Sequence, residues 1–221
     1  MGAVLSFPTE VFGRTGHYEA YAHTVVKDFG SWQLRRYAPA VVAETSGAVG
    51  GDDQCFMRLA RYIGVFNTPE NASKSAVAMT VPVVSEPIAM TVPVVSAPTE
   101  SSAGDGTAVG TGPSTMKFVL PSKFKTAADA PTPTDSNVQV FDVPAKVMAA
   151  ITFSGWCSGC SAASEQHHKL LSSMKEAGLE PAGQMELHRY NPPYTLSRFR
   201  TNEVLVPVTP ESLARAGFVV E

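Results

Sequence analysis

The sequence lacks an apolar run long enough to span a membrane, and it has few cysteines. No run reaches the roughly 18–20 apolar residues that a membrane helix needs. The first residues do not combine a charged segment with an apolar one, so we expect no secretory signal peptide. The cysteines are Cys55, Cys157 and Cys160, and an odd number argues against the disulfide framework of a secreted protein. These absences predict a cytoplasmic protein.

Clustered charge and familiar catalytic motifs are also missing. The formal net charge is −3, and the basic residues are scattered, whereas nucleic-acid binding needs them on one face or stripe. There is no Gly-x-Ser-x-Gly elbow, no His-Glu-x-x-His, no P-loop and no Gly-x-Gly-x-x-Gly after a strand. We therefore expect neither a nucleic-acid partner nor an enzyme.

The secondary structure follows from the spacing of apolar residues. Phe56, Leu59, Ala60 and Ile63 recur at helical spacing, which predicts an amphipathic helix with Asp52 or Asp53 as its N-cap and Gly64 at its end. A second helix is predicted over residues 161–177. Period-2 alternation and β-branched residues predict the strands: Trp32–Tyr37, Val41–Thr45, Met116–Leu120, Val138–Val143, Lys146–Phe153, Met185–Tyr190 and Val204–Val208.

The order of these elements is strands, helix, strands, repeated once. This order predicts one α+β domain with a largely antiparallel, curved sheet and two α-helices. We expect an N-terminal extension over residues 1–16, the domain over residues 17–209 and a C-terminal tail over residues 210–221. The Gly/Ser/Thr/Pro-rich residues 97–115 predict a flexible loop.

One phrase occurs twice: Val77–Ser85 returns as Ile88–Ser96. Met79 and Met90 are an odd number of residues apart, so a single straight strand would place them on opposite faces. Two copies are too few for a solenoid. We predict that the first copy takes a position in the barrel and that the second forms a bulged edge or a hairpin continuation into the loop.

Two short motifs each admit several interpretations. Cys157-Ser158-Gly159-Cys160 precedes the second helix and its His167-His168 pair, which would suit a thiol redox pair, a zinc site or a plain turn. The missing thioredoxin-like pattern and the incomplete zinc ligand set favour the turn. Met1–Ser6 matches the pattern for N-myristoylation at Gly2. One acyl chain binds membranes only marginally, so stable membrane insertion is not expected.

The stretch Arg189–Arg200 places aromatic and apolar side chains among arginines in a proline-stiffened loop. Loops on a rigid scaffold often carry ligand sites. Aromatic walls and guanidinium groups would suit a flat apolar ligand that bears carboxylates. The alternative is a structural loop that caps the end of the barrel.

Several segments, in order over residues 17–209, make the chain resemble the SOUL heme-binding protein family, and its plant and algal cytosolic members most closely. The segments are Arg35–Glu44, Leu59–Gly64 with Phe66-Asn67, the repeated Ala-Met-Thr-Val-Pro-Val, Phe118–Ser122, and the run from Arg189–Pro193 to Phe199–Val204. The resemblance implies a distorted, mostly antiparallel β-barrel built from two similar halves and flanked by two α-helices. It also implies a monomer that reversibly binds heme b or another tetrapyrrole, for buffering or transport.

In that family the tetrapyrrole lies against the first helix and the late Pro-Pro loop. The corresponding residues here are Phe56, Leu59, Ala60, Ile63, Tyr194, Leu196, Arg198 and Phe199. The helical residues are also the predicted core face. We expect packing of the ring, with Arg61 or Arg198 near the propionates and no strong iron ligand; His188 and Met57 are weak axial candidates. The alternatives are an interaction or regulatory module with little heme affinity, and an enzyme that alters tetrapyrroles.

Overall fold

The structure is a computed structural model that describes residues 13, 15, 18–47, 51–87, 114–157 and 161–218. Gly2, with the predicted myristoylation, lies outside the described residues, as do residues 88–113, which include the second copy of the repeated phrase. The strands are β1 Glu19–Ala20, β2 His23–Asp28, β3 Gln33–Tyr37, β4 Ala40–Gly47, β5 Thr80–Val81, β6 Val83–Pro87, β7 Ser114–Val119, β8 Val138–Val143, β9 Lys146–Ser154, β10 Glu186–Arg189 and β11 Thr201–Pro207. The helices are α1 Asp52–Ile63, α2 Ser161–Glu176 and α3 Pro210–Arg215.

Nine strands form one antiparallel half-barrel sheet in the order β2-β3-β9-β11-β10-β6-β7-β4-β8. β1 pairs with β5 in a separate parallel ladder of two strands. The α+β class, the antiparallel sheet and the flanking helices are therefore confirmed. Among the described residues the sheet ends in β2 and β8, so the hydrogen-bonded ladder is a half-barrel rather than a closed ring.

The sheet contains the predicted two halves. In the first half, β4 leads into α1, then β6 and β7, and the last strand pairs with β4. In the second half, β9 leads into α2, then β10 and β11, and the last strand pairs with β9. The middle strands β6 and β10 pair with each other, with His188 opposite Val84. The two halves thus meet along one ladder.

Helix α1 buries the predicted apolar stripe against the first half of the sheet. Leu59 and Ile63 are almost completely buried, and each contributes about 1.5–3 kcal/mol through burial. Gly64 ends the helix with φ +84°, a left-handed conformation that glycine adopts without steric cost. The N-cap prediction was wrong by one residue, because Gly51 is the N-cap and Asp52 is the first helical residue.

Helix α2 covers the second half of the sheet. Ala163, Leu170 and Met174 are fully buried and belong to the core cluster that also contains Leu187 and Val204. The residues after 209, predicted as a tail, begin with α3. Leu213 and Phe218 pack against this same cluster, so this segment contributes to the core.

The first copy of the repeated phrase takes the predicted place in the sheet. Pro82 separates β5 from β6, and β6 pairs with both β10 and β7. Of the predicted loop over residues 97–115, residues 97–113 lie outside the described residues. Ser114 and Thr115 belong to β7 and pair with Pro87 and Glu86, so the predicted end of the loop was wrong by two residues.

Candidate functional site

A cavity of about 410 Å³ opens between the N-terminus of α1 and the connection from β10 to β11. We call the part of that connection around Pro192 and Pro193 the Pro-Pro loop. The cavity is lined by Tyr18, Asp52, Asp53, Phe56, Met79, Val81, Val83, Met116, Trp156, Cys157, Arg189, Tyr190, Asn191, Pro192, Pro193 and Arg200. Its volume lies within the range of about 300–1,000 Å³ that is typical of small-molecule sites.

The walls of the cavity are largely apolar and aromatic. Phe56, on the first turns of α1, meets Phe118 edge-on at a centroid distance of 5.5 Å. The thioethers of Met79 and Met116 add soft, polarizable surface, which adapts to flat partners. Trp156 stands at the mouth with 57% of its surface exposed. Such walls favour an apolar ligand with flat faces.

Two arginines bring positive charge to the cavity. An Arg189 guanidinium nitrogen lies 3.0 Å from Asp52 Oδ2 and donates a hydrogen bond of 2.7 Å to Ser85 Oγ. The Arg200 guanidinium lies 3.8 Å from the centroid of the Trp156 ring. Its Nε donates to the carbonyl of Thr195 at 2.8 Å, and a second nitrogen donates to the carbonyl of Pro193. Both side chains are therefore held in place before any ligand arrives.

The Pro-Pro loop is fixed to the scaffold by hydrogen bonds. Asn191 Oδ1 accepts from the backbone N–H of Thr201 at 2.6 Å, and its Nδ2 donates to the carbonyl of Gly13 at 3.3 Å. The N–H of Thr195 donates to the carbonyl of Pro192 at 3.1 Å. These bonds make the loop a preformed wall.

Behind the cavity wall lies a buried ion pair. Arg35 reaches Glu203 at 3.0 Å, and both side chains are less than 10% exposed. Tyr190, which lines the cavity, donates its hydroxyl to Glu203 at 2.6 Å, and Thr152 donates at 2.8 Å. Burial alone would raise the pKa of Glu203, but the hydrogen bond from Tyr190 and the charge of Arg35 lower it below its ordinary value. Burial, with the charge of Glu203, raises the pKa of Tyr190, so the phenol stays protonated.

A second buried group surrounds His188. Its Nε2 lies 2.8 Å from Glu186 Oε2, and Lys146 contacts the other oxygen of the same carboxylate. His188 is completely buried, and its ring meets Tyr37 edge-on. Because side chains alternate along a strand, His188 lies on the opposite face of β10 from Arg189 and the cavity.

The predicted site residues occupy three different settings. Phe56 lines the cavity. Leu59, Ala60 and Ile63 are buried residues of α1, and Arg61 is exposed. Tyr194, Leu196 and Arg198 are exposed on the loop beside the cavity, while Phe199 is half-buried, with the Arg198 guanidinium 4.7 Å from its ring centroid. Of the weak axial candidates, His188 is buried behind the sheet and Met57 is 37% exposed on α1.

Sequence reasoning missed most of the residues that line this cavity. Arg189, Tyr190 and Arg200 lie within the aromatic and arginine-rich stretch. The sequence therefore indicated this segment as a candidate site but did not single out these three residues. Trp156 is a large aromatic residue that follows a bend at Gly155 and precedes Cys157, and the sequence did not mark it as a site residue. Nothing in the sequence indicated that Met116 faces the same space as Trp156.

Of the Cys-x-x-C motif, only Cys157 lies within the described residues. Cys157 is disulfide-bonded and therefore offers no thiolate to a metal in this state. Residues 158–160 lie outside the described residues. The described part of the chain contains no group of three or more His, Cys, Asp or Glu side chains that could hold a metal ion.

None of the helices in the described ranges is both long enough and apolar enough to cross a membrane.

Comparison with known proteins gives one family match and several similar folds. The model of the SOUL heme-binding protein family matches residues 18–207. No curated protein matches the chain significantly.

Three solved structures share the fold. The EcmrR C-terminal domain is 12% identical with a TM-score of 0.53, over 80% of this chain and 98% of that chain. EcmrR in a complex with DNA is 12% identical with a TM-score of 0.51, over 80% and 57%. An uncharacterized conserved protein from Listeria innocua is 11% identical with a TM-score of 0.52, over 80% and 92%. At these identities the likeness shows the fold alone.

Proposed function

Because the chain belongs to the SOUL heme-binding protein family, we propose that it binds heme b or another tetrapyrrole reversibly in the cavity between α1 and the Pro-Pro loop. The proposed role is buffering or transport of the tetrapyrrole by a monomer in the cytoplasm. The observation that carries the proposal is the cavity itself, with aromatic walls from Phe56 and Trp156 and the guanidinium groups of Arg189 and Arg200.

These residues suit the chemistry of a tetrapyrrole. A porphyrin ring is flat and apolar and bears carboxylates on one edge. Phe56, Trp156 and Tyr190 offer flat surfaces for the ring. Arginine binds carboxylates through its planar fork of N–H groups, and Arg200 is already aligned by its stacking on Trp156.

The side chains of the cavity favour binding that can be reversed. The side chains on the described walls that are of a type that ligates heme iron are Met79, Met116, Tyr18 and Tyr190, and no histidine is among them. The Tyr190 hydroxyl already donates to Glu203. His188 would have to leave its carboxylate partner and cross the sheet to reach the cavity. Packing and carboxylate recognition then carry the affinity, and the protein can release its cargo.

Titration with hemin and with metal-free protoporphyrin tests the proposal. We expect micromolar or tighter binding of both, because packing discriminates poorly between iron-bearing and metal-free rings. Trp156→Ala and Arg200→Gln should each weaken binding about tenfold. Arg36→Gln, which removes an exposed arginine of β3, is the matched control and should bind as the wild type does.

Four results would contradict the proposal in different ways. Absence of any Soret change on titration would favour the interaction module. Equal loss in Arg36→Gln would mean that general charge, rather than the cavity, attracts the ligand. Loss of a sharp Soret band in His188→Ala, in a variant that remains folded, would show that His188 ligates the iron. Consumption of hemin over time with an electron donor would reveal an enzyme.

A further inference from the structure

Large apolar side chains are exposed at the mouth of the cavity and on the loop beside it. Trp156 is 57% exposed, Tyr194 is 55% exposed and Leu196 is 45% exposed. Arg200 holds Trp156 next to the loop that carries Tyr194 and Leu196, because its guanidinium stacks on Trp156 and donates to the backbone carbonyls of Pro193 and Thr195. We call these three apolar side chains the mouth patch.

Positive charge lies on the loop that carries Tyr194 and Leu196, whereas the acidic residues that line the cavity, Asp52 and Asp53, lie on α1. Residues 187–202 contain Arg189, Arg198 and Arg200 but no aspartate or glutamate. Asp52 pairs with Arg189 on the opposite wall of the cavity, which leaves Arg198 and Arg200 as the cations of the loop nearest the patch. Arg198 is exposed.

Tryptophan, tyrosine and leucine beside arginines form the composition that binds at the boundary between lipid headgroups and acyl chains. Amphipathic aromatic rings prefer this boundary, and arginine side chains bury their stems while the charge stays at the headgroups. We propose that the mouth patch docks the protein transiently onto an anionic lipid surface, with the cavity facing the bilayer. Tetrapyrroles partition into lipid, so docking would bring the cavity to its cargo; only the identity of this cargo rests on the proposed function.

The size of the patch favours a lipid surface over a second copy of the chain. A stable protein interface buries about 800 Å² on each partner, and three partly exposed side chains supply much less. Interfacial binding needs only a few inserted side chains, and anionic lipid adds attraction for each nearby arginine.

Tryptophan fluorescence can report docking directly, because the chain contains only two tryptophans. Trp32 is 5% exposed and stacks on Phe29 at 4.0 Å, so its emission should not respond to lipid. We expect phosphatidylcholine/phosphatidylserine vesicles to shift the emission of Trp156 to shorter wavelength. Trp156→Phe should abolish the shift, while cosedimentation shows whether the variant still binds.

Two double variants test the location of the surface. Tyr194→Ser/Leu196→Ser should weaken cosedimentation with these vesicles roughly tenfold. The matched control is Val65→Ser/Phe66→Ser, because these residues are 47% and 55% exposed but follow the far end of α1, about 18 Å along the helix axis. The control should bind as the wild type does. Arg198→Gln should weaken binding about fivefold on anionic vesicles and little on pure phosphatidylcholine.

The vesicle assays contain no hemin, and the hemin titration contains no lipid. The lipid-docking proposal and the tetrapyrrole-binding proposal can therefore fail independently of each other. Absence of vesicle binding by the wild type overturns the docking proposal, whatever the hemin result. Equal loss in the Val65/Phe66 control overturns it as well. If sedimentation instead reveals self-association that Tyr194→Ser/Leu196→Ser abolishes, the patch is an interface between copies and the lipid proposal is wrong.

Discussion

The hydroxyl of Tyr190 lies 2.6 Å from Glu203 Oε2 and joins the cavity wall to the buried pair of Arg35 and Glu203. Tyr190 lines the cavity, while its hydroxyl is bonded to the buried carboxylate of Glu203. The same residue therefore contributes to binding and to stability, and the two contributions can be separated by substitution.

Tyr190→Phe should lower the free energy of unfolding by about 2 kcal/mol, since it removes a hydrogen bond to a buried carboxylate and keeps the ring. Tyr190→Ala should additionally remove the wall and weaken hemin binding further. Denaturant unfolding and hemin titration of both variants measure the two effects. A hemin affinity lowered equally by both substitutions would show that the hydroxyl, not the ring, is what the ligand requires.

Glu203→Gln should destabilise the protein by about 3–5 kcal/mol, because Arg35 would keep a buried charge without its counterion. The matched control is Glu180→Gln at the exposed pair with Arg215, where both side chains are more than 60% exposed and surface pairs contribute little. Chemical denaturation of both variants checks the difference. Similar losses at the two pairs would mean that the Arg35–Glu203 pair is well solvated.

Stability should fall in acid partly because of Glu186. Burial would raise its pKa, but the hydrogen bond and charge of His188, with the charge of Lys146, lower the pKa below its ordinary value of 4.5. A carboxylate with a lowered folded-state pKa contributes stability that is present above its ordinary pKa and is lost as the pH falls below that value. Glu186→Gln should therefore be less stable than the wild type at neutral pH and show a flatter decline in acid, measured by denaturation between about pH 6 and about pH 3. Glu180→Gln, at the exposed surface, should keep the wild-type slope.

The two faces of α1 should respond differently to substitution. Leu59→Ala should cost about 2–5 kcal/mol of stability, because Leu59 is completely buried, and should change hemin affinity per folded molecule little. Phe56→Leu should cost less than about 1.5 kcal/mol yet weaken hemin binding, because a flat ring is lost from the cavity. The opposite order of hemin affinities would favour Leu59 as a contact residue.

Carboxylate recognition can be tested with hemin dimethyl ester. The wild type should bind the ester about tenfold more weakly than hemin, since a charge-assisted pair with arginine is lost. Arg200→Gln should bind both ligands with similar, weaker affinity. Arg61→Gln/Arg198→Gln tests the arginines predicted from the sequence; if this variant alone loses the discrimination, the propionates lie there and not at Arg189 and Arg200.

Much of the fold could be predicted from local pattern, and the site could not. The spacing of Leu59 and Ile63 and the position of Gly64 were sufficient for α1, because one face of a helix must be buried. Polar residues at alternate positions of a strand normally face water, so the positions of Glu186, His188 and Glu203 would predict a solvent-exposed face. Here the curvature of the half-barrel encloses that face, and ion pairs compensate for burial. The cavity unites Asp52, Trp156 and Arg200 from distant segments, and such proximity depends on the packing of the two halves.

The pairing of β6 with β10 gives the repeated phrase a simple meaning. In the second half of the domain, residues 190–200 connect β10 to β11; in the first half, residues 88–113 connect β6 to β7, between Pro87 and its partner Ser114. The second copy of the phrase thus lies in the counterpart of the Pro-Pro loop. A connection between adjacent paired strands can gain or lose residues at an entropic cost of only about 0.6 kcal/mol per doubling of its length. Duplicated sequence can therefore accumulate at this point of the chain while the registers of both neighbouring strands stay unchanged.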